Sequence, residues 1–155
     1  MLLRESLSTK LEILQEKYGK NRDALLPVLQ DLQKEYGTLN EIIINEVSCA
    51  FSLSQTDVFS VASFYHFLNI KPTGKYVIRL CRTISCELKG KNEILKAIEA
   101  ELGIKMGETT KDKKYTLDYA NCMGMCDKGP AMMINNDIYS GLTPSKAVDI
   151  IRSYK

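Results

Sequence analysis

Four of the five cysteines lie between residues 81 and 126 and form two pairs. The first pair, Cys81 and Cys86, has the spacing Cys-x4-Cys, and the second, Cys122 and Cys126, has the spacing Cys-x3-Cys. Each pair follows a short apolar run that is typical of a β-strand. Because a helix is predicted between the two strands, the cysteines at their ends can converge on one point. Four thiolates there would bind a soft metal centre, either Zn²⁺ or an iron–sulfur cluster.

The spacing favours one of these two metal centres. Zinc sites usually have tight spacers of about two to four residues in both halves, and Cys-x4-Cys lies at the loose end of this range for a zinc knuckle. One class of ferredoxins uses the same spacing, so an iron–sulfur cluster is favoured, and a structural zinc-binding interaction module remains the alternative. A thiol–disulfide enzyme is disfavoured because neither pair is Cys-x-x-Cys. The fifth cysteine, Cys49, has apolar neighbours and is predicted to be a buried, inert thiol.

The composition excludes several classes of function. The chain has 155 residues, 45% of them hydrophobic, so it can bury a core in one or two small domains. Its 21 basic and 19 acidic side chains leave a net charge of +2, which provides no electrostatic reason to bind nucleic acid or an anionic membrane. No apolar run is as long as a membrane span, and the first residues lack a signal-peptide core. We therefore expect a cytoplasmic protein, in whose reducing surroundings paired cysteines mark metal or redox sites.

The first part of the chain has the apolar spacing of helices. Four helical segments are predicted from this spacing, at 2–18, 22–36, 40–51 and from 54 to 64 or 67. Ile42 is expected to face inward on the third segment. Ser54 and Asp57 resemble a capping box at the start of the fourth. This part of the chain is therefore predicted to be all-helical.

The stretch 69–74 contains Pro72 and Gly74 and breaks the helical pattern. It separates a predicted helical domain, residues 1–70, from a second predicted domain, residues 71–155. In the second domain the pattern changes to strand–helix–strand–strand–strand–helix. The strands are predicted at 75–80, 115–120, 131–134 and 138–139, and the helices at 92–102 and 144–154.

This order of elements predicts the fold class. A strand–helix–strand unit implies a parallel pair with a right-handed crossover. The turn at Asn135-Asn136-Asp137 is typical of a hairpin, which adds antiparallel strands. Thr143 and Pro144 are predicted to cap the final helix. The chain is therefore predicted to be of α+β or α/β class, with an N-terminal helical bundle followed by a thioredoxin-like domain whose mixed sheet is flanked by helices.

Several motifs together resemble one protein family, over nearly the whole chain. The most specific motifs are Phe64-Tyr65-His66-Phe67, the run from Lys71 to Cys81, Cys86 with Gly90, Gly107-Glu108-Thr109-Thr110, and Cys122-Met123-Gly124-Met125-Cys126 with Gly129-Pro130 and Asn135. They resemble the thioredoxin-like [2Fe–2S] subunit of respiratory NADH dehydrogenase, complex I, of the NuoE type. They are equally similar to the matching small subunits of soluble NAD(P)-linked hydrogenases and formate dehydrogenases.

The resemblance implies a function and a set of ligands. In the family, four cysteines ligate one [2Fe–2S] cluster, and they match Cys81, Cys86, Cys122 and Cys126. The chain would then be an electron-transfer subunit that exchanges electrons with a flavin. FMN and NAD(P) would be bound by a NuoF-type partner, embraced by the helical domain, and this chain would have no active site of its own. Further iron–sulfur, hydrogenase or formate dehydrogenase subunits would be reached through that partner, in some complexes with electron bifurcation.

Two positions beside the cysteines depart from many respiratory members of the family. This chain has Gly129 where they have Ala before the proline, and Asn121 where they often have Glu before the third cysteine. Neither change removes a ligand, and both could shift the reduction potential of a cluster. The run from Met123 to Pro130 is more similar to the hydrogenase- and formate dehydrogenase-associated members. We therefore expect a soluble complex of that kind rather than a respiratory one.

Overall fold

A computed structural model describes residues 2–154 of the chain, with side chains from residue 6 onward. The chain forms two compact units, which divide between Pro72 and Thr73. Each unit contains its own cluster of buried apolar side chains. Within residues 2–154, no helix is both long enough and apolar enough to cross a lipid bilayer.

The described part of the N-terminal unit, residues 2–72, is built from four α-helices. They are α1 (Leu2–Tyr18), α2 (Leu25–Tyr36), α3 (Glu41–Phe51) and α4 (Gln55–Phe64), with a 3-10 turn at Arg22–Ala24 ahead of α2. Apolar residues recur every three or four positions along them, which directs one stripe of each helix to a common core. The buried side chains of this core include Leu7, Leu11, Leu14, Val28, Leu29, Leu32, Ile43, Val47 and Val58. The prediction that this part of the chain is all-helical is confirmed.

Side-chain caps determine where two of these helices begin. Asn40 Oδ1 accepts a hydrogen bond from the N–H of Ile43 at 3.0 Å at the start of α3. Ser54 Oγ accepts one from the N–H of Asp57 at 3.0 Å at the start of α4, and the Ser54 hydroxyl donates to Asp57 Oδ2 at 2.6 Å. Each cap satisfies an N–H that has no partner within its helix. The predicted cap at Ser54 and Asp57 is confirmed.

Two burial predictions on α3 are wrong. Ile42 is 45% exposed, and the side chain of Cys49 is also exposed. The buried side of α3 is formed by Ile43, Val47 and Phe51, which follow one another at intervals of four residues. Because each residue turns the helix by about 100°, Ile42 and Cys49 both fall on the side opposite this stripe. Apolar neighbours in the sequence do not by themselves bury a residue.

Asp31 on α2 collects hydrogen bonds that tie α1 to α2. Its carboxylate accepts from the hydroxyl of Tyr18 at 2.8 Å and from the ammonium groups of Lys34 and Lys17 at 2.9 and 3.1 Å. The pKa of Asp31 is well below its ordinary value. The hydrogen bond from Lys34 is the largest cause, and the hydrogen bond from Tyr18 is the second. The carboxylate is therefore charged in the folded protein even in moderately acid solution.

Replacing Asp31 by Asn should lower the free energy of unfolding by about 2 kcal/mol at neutral pH, because charge-assisted hydrogen bonds are lost. The pKa of Asp31 is depressed in the folded state, so its contribution is present above the pKa of the unfolded chain, about 4. It is lost as the pH falls through the folded-state pKa. Urea unfolding followed by circular dichroism at several pH values measures both effects. The exposed Asp23, replaced by Asn, is the control, and an Asp31→Asn effect that is independent of pH would contradict the assignment.

The C-terminal unit contains a mixed four-stranded sheet. Its strands are β1 (Tyr76–Cys81), β2 (Tyr115–Ala120), β3 (Ala131–Ile134) and β4 (Asp137–Ser140), in the spatial order β2-β1-β3-β4. β1 and β2 are parallel, whereas β3 is antiparallel to both β1 and β4. The predicted fold class, a helical part followed by a mixed sheet flanked by helices, is confirmed.

Three helices accompany this sheet in the described part of the C-terminal unit. They are α5 (Ile84–Leu88), α6 (Lys91–Leu102) and α7 (Pro144–Ser153). α6 supplies the crossover that the parallel β1–β2 pair requires. The apolar sides of α6 and α7 pack against the sheet around one core. Its buried side chains include Ile78, Leu80, Ile94, Ile98, Leu117, Met132, Ile134, Ala147 and Ile151.

The final helix begins as predicted. Thr143 Oγ1 accepts a hydrogen bond from the N–H of Lys146 at 3.3 Å, and Pro144 occupies the first turn of α7. Pro at this position costs no hydrogen bond, because the first N–H groups of a helix have no partner within it. The cap at Thr143 is therefore confirmed.

Candidate metal centre

The two cysteine loops leave the sheet at the same edge. Cys81 is the last residue of β1 and is in register with Ala120, the last residue of β2. Cys122 follows Ala120 after one residue. Since the two strands are parallel, both loops begin at their carboxyl ends, where functional groups collect in open α/β sheets. The topology thus places both cysteine pairs at one edge of the sheet.

The first loop buries both of its sulfurs. Cys81 and Cys86 are only 2% and 1% exposed, and Cys86 lies within the short helix α5. Thr83 is the residue that precedes α5, and its Oγ1 lies 3.2 Å from Cys81 Sγ. α5 is absent from the elements predicted above, because a five-residue helix is too short to show apolar periodicity. Thr83 was also missed, although a hydroxyl two residues after a cysteine is a suitable donor to its sulfur.

The second loop holds its sulfurs nearer the surface. Cys122 is exposed and Cys126 is half-buried, and their Sγ atoms lie 3.1 Å apart without a disulfide bond. Gly124 lies between them with a φ of +80°, a conformation that favours glycine. Its N–H donates to Cys122 Sγ at 3.4 Å. The site therefore has one buried and one more exposed pair of sulfurs.

The thiols influence one another's protonation. Burial would raise the pKa of Cys81, but hydrogen bonds from Thr83 and from neighbouring groups outweigh it, and the pKa is lowered. Burial and the hydrogen bond with Cys81 raise the pKa of Cys86. The hydrogen bond with Cys122 raises the pKa of Cys126. One thiolate thus opposes the formation of the next, and a positively charged metal centre would allow the thiols to be deprotonated together.

Backbone N–H groups lie around the sulfurs. The N–H of Gly124 donates to Cys122 Sγ. The backbone of Thr83 and Met123 helps to lower the pKa of Cys81, and the backbone of Ala131 opposes the rise in the pKa of Cys86. Iron–sulfur clusters need such donors because their sulfurs carry negative charge. Over residues 2–154, no three His, Cys, Asp or Glu side chains surround a single ion position. The paired thiols and their N–H donors fit a two-iron cluster, which takes four cysteines over two irons.

Gly129 leaves room beside the buried sulfur of the first loop. A Cβ at this position would lie 3.2 Å from Cys86 Sγ and 3.7 Å from Lys89 Cδ. The bond from Gly129 to Pro130 is a cis peptide bond. The sequence marks Gly129 only as a departure from relatives, and the structure shows that its missing side chain lets the second loop approach Cys86.

A family model described as thioredoxin-like [2Fe–2S] ferredoxin matches residues 11–155. The chain therefore belongs to the thioredoxin-like [2Fe–2S] ferredoxin family, and the resemblance seen in its motifs is confirmed. The cofactor of this family is a [2Fe–2S] cluster, which confirms the cluster prediction over the zinc alternative.

Relatives from two kinds of complex match most of the chain. The E subunit of NADH-quinone oxidoreductase from Buchnera aphidicola subsp. Baizongia pistaciae is 34% identical over 152 residues, which cover 97% of this chain and 89% of that protein. The protein of the same name from Buchnera aphidicola subsp. Acyrthosiphon pisum is 40% identical over 142 residues, covering 91% and 88%. The alpha subunit of the NAD-reducing hydrogenase HoxS from Cupriavidus necator is 34% identical over 149 residues, covering 96% of this chain but 25% of that protein.

A solved structure of an NAD⁺-reducing [NiFe]-hydrogenase in the air-oxidised state also matches. The TM-score is 0.72 and the identity 26%, over 81% of this chain and 22% of that one. The likeness extends over more residues than either compact unit of this chain contains. The relatives thus include both a quinone-linked and a hydrogenase-linked protein.

Thr83 offers a first test of how this chain tunes its cluster. Replacing Thr83 by Val keeps the shape of the side chain and removes the hydroxyl that lies 3.2 Å from Cys81 Sγ. We expect a more negative reduction potential, because hydrogen bonds to the sulfurs stabilise the more negatively charged reduced cluster. A redox titration monitored by electron paramagnetic resonance (EPR) measures the shift. Thr83→Ser retains the hydroxyl and should keep the wild-type potential, whereas an unshifted or more positive Thr83→Val potential would contradict the prediction.

Proposed function

We propose that Cys81, Cys86, Cys122 and Cys126 are the four ligands of the [2Fe–2S] cluster. The observation that carries this proposal is the arrangement of these cysteines as two close pairs at the ends of adjacent parallel strands. Cys81 and Cys86 would supply two buried thiolates to the cluster, and Cys122 and Cys126 would supply two that lie nearer the surface. Bound there, the cluster supplies one-electron redox chemistry. The chain contributes thiolates, the N–H of Gly124 and a buried environment around Cys81 and Cys86.

The proposed partner of this site is a flavin on another subunit. Relatives carry names of NADH-quinone oxidoreductase and NAD-reducing hydrogenase subunits, which supports a place in an NAD(P)-linked oxidoreductase complex. We infer that a NuoF-type subunit binds FMN and NAD(P), and that this chain transfers electrons without an active site of its own. The cytoplasmic location stays a prediction.

The parent complex also stays a prediction. The expected preference for a soluble hydrogenase or formate dehydrogenase rests on the residues around the second cysteine loop, and relatives of both kinds are similar to this chain. Isolation of the complex from its native source, followed by identification of the companion subunits, distinguishes the two. A hydrogenase or formate dehydrogenase subunit among them is the expected result.

The helical domain, residues 1–70, is the proposed docking site for the flavoprotein subunit. Large apolar side chains are exposed on it: Phe64 is 79% exposed, Phe59 50% and Phe67 48%. Exposed aromatic groups in such number mark surfaces that bind other proteins. This apolar surface supports a permanent subunit contact rather than a solvated face.

Spectroscopy and metal analysis of the purified chain test the cluster assignment directly. We expect about two irons and two acid-labile sulfides per chain, visible absorption when oxidised, and an EPR signal on one-electron reduction. A colourless protein with about one zinc per chain would contradict the proposal and favour a structural zinc module instead. Mixing the reduced protein with an FMN-loaded partner subunit then tests electron transfer.

A further inference from the structure

Lys89 connects the two cysteine loops. It follows α5 directly, so it lies three residues after Cys86. Its ammonium group donates to the backbone carbonyl of Cys126 at 3.0 Å and to that of Asp127 at 2.9 Å. One side chain from the first loop thus donates to two successive carbonyl groups of the second loop. These carbonyl groups belong to residues that lie 37 and 38 positions further along the chain.

The side chain of Lys89 packs against the second loop, unlike that of an ordinary surface lysine. The Lys89 Cδ would be only 3.7 Å from a Cβ on Gly129, so the lysine stem lies against the second loop where a side chain is missing. Lys128 lies in the same loop and is also exposed. Within residues 2–154, the Lys128 side chain makes no hydrogen bond or ion pair. The two lysines therefore have the same charge and are both exposed, but only Lys89 donates hydrogen bonds to the second loop.

We propose that Lys89 is a positioning residue that fastens the second cysteine loop to the first. Its two hydrogen bonds hold the backbone at Cys126 close to Cys86 and keep the two sulfur pairs at the separation that the cluster requires. A positively charged donor also polarises the Cys126 and Asp127 peptide groups, and it places a cation beside the ligands. This inference rests on the proposed ligand set, although the fastening itself exists between backbone and side chain and does not need the cluster.

Three variants separate fastening from charge. Lys89→Met keeps most of the aliphatic stem and removes the ammonium group, whereas Lys89→Arg keeps a charged donor. Lys128→Met removes a nearby charge that makes no hydrogen bond to either loop. In the cluster-free protein, hydrogen exchange of the peptide that spans 122–130 reports the mobility of the loop. In the cluster-loaded protein, the rate of cluster loss to an iron chelator and the EPR-monitored reduction potential report the effect on the site.

We expect Lys89→Met to speed hydrogen exchange in the 122–130 peptide and to raise the rate of cluster loss about tenfold or more, the scale of one lost charge-assisted hydrogen bond. Its potential should also become more negative, because a cation near the cluster stabilises the reduced form. Lys89→Arg should remain close to the wild type. Lys128→Met should keep the wild-type exchange and the wild-type rate of cluster loss.

Two outcomes would overturn the proposal: wild-type exchange and cluster loss in Lys89→Met, or effects of equal size in Lys128→Met, which would show that charge alone matters. Failure of the proposed function looks different. If the wild-type chain takes up no iron, the ligand assignment fails, while the exchange experiment in the cluster-free protein still decides whether Lys89 fastens the loop.

Discussion

Replacing Cys122 by Ala is expected to abolish the visible absorption and the EPR signal of the cluster. The cluster would keep three of its four proposed thiolates, and a [2Fe–2S] cluster held by three cysteines has an open iron site. Cys122 is exposed, so the substitution removes little packing and the fold of the unit should survive. Iron and sulfide content measured beside far-ultraviolet circular dichroism separates loss of the ligand from loss of the fold.

The same loss of cluster is expected for Cys81→Ala, Cys86→Ala and Cys126→Ala. The Cys81→Ala and Cys86→Ala proteins should also have a lower free energy of unfolding. Both side chains are almost fully enclosed, so their replacement leaves empty space. Cys49→Ala is the matched control: it removes an exposed thiol on α3 of the helical unit and should leave the colour and the iron content unchanged. A Cys49 variant that loses iron, together with a Cys122 variant that keeps it, would refute the ligand assignment.

Replacing Gly74 by Ala is expected to lower the free energy of unfolding by about 3 kcal/mol, because overpacking against backbone cannot be relieved by a side-chain rotation. A Cβ on Gly74 would lie 2.8 Å from Tyr115 N and 2.9 Å from the carbonyl carbon of Lys114. Gly74 must approach this closely because its N–H donates to Thr116 Oγ1 at 2.7 Å, at the point where β1 joins β2. Urea unfolding followed by circular dichroism measures the change.

The effect of Gly74→Ala should extend to the metal centre. β1 carries Cys81 at its other end, and its parallel register with β2 sets the distance between the two cysteine loops. We therefore expect reduced iron content in this variant as well. Lys71→Ala, at an exposed position three residues earlier, should have wild-type stability and iron content. Wild-type stability of the alanine variant at 74 would show that β1 and β2 can separate at this point without cost.

Local sequence patterns were sufficient to predict most of the fold. Three kinds of feature depend only on residues a few positions apart. They are the apolar spacing of α2 and α6, the caps at Ser54 and Thr143, and the hairpin after β3. Such interactions can be recognised without knowing what the rest of the chain does. The same holds for the four cysteines as a set, because two thiol pairs that each follow a strand have few other uses in the reducing compartment that we predict for this chain.

The tertiary structure decided everything that depends on residues distant in the sequence. The apolar neighbours of Cys49 wrongly predicted that it is buried. The side of α3 that faces the hydrophobic core is buried, and Cys49 lies on the opposite side. Lys89 was not recognised, since its partners are carbonyl groups 37 and 38 residues away. The backbone groups that shift the pKa values of Cys81 and Cys86 come from both loops and from β3, so they surround the thiols only when the sheet has formed. Residue types and local spacing therefore determined which groups we propose as iron ligands. The β2-β1-β3 pairing decided how those groups are held, because only long-range pairing brings separate loops into contact.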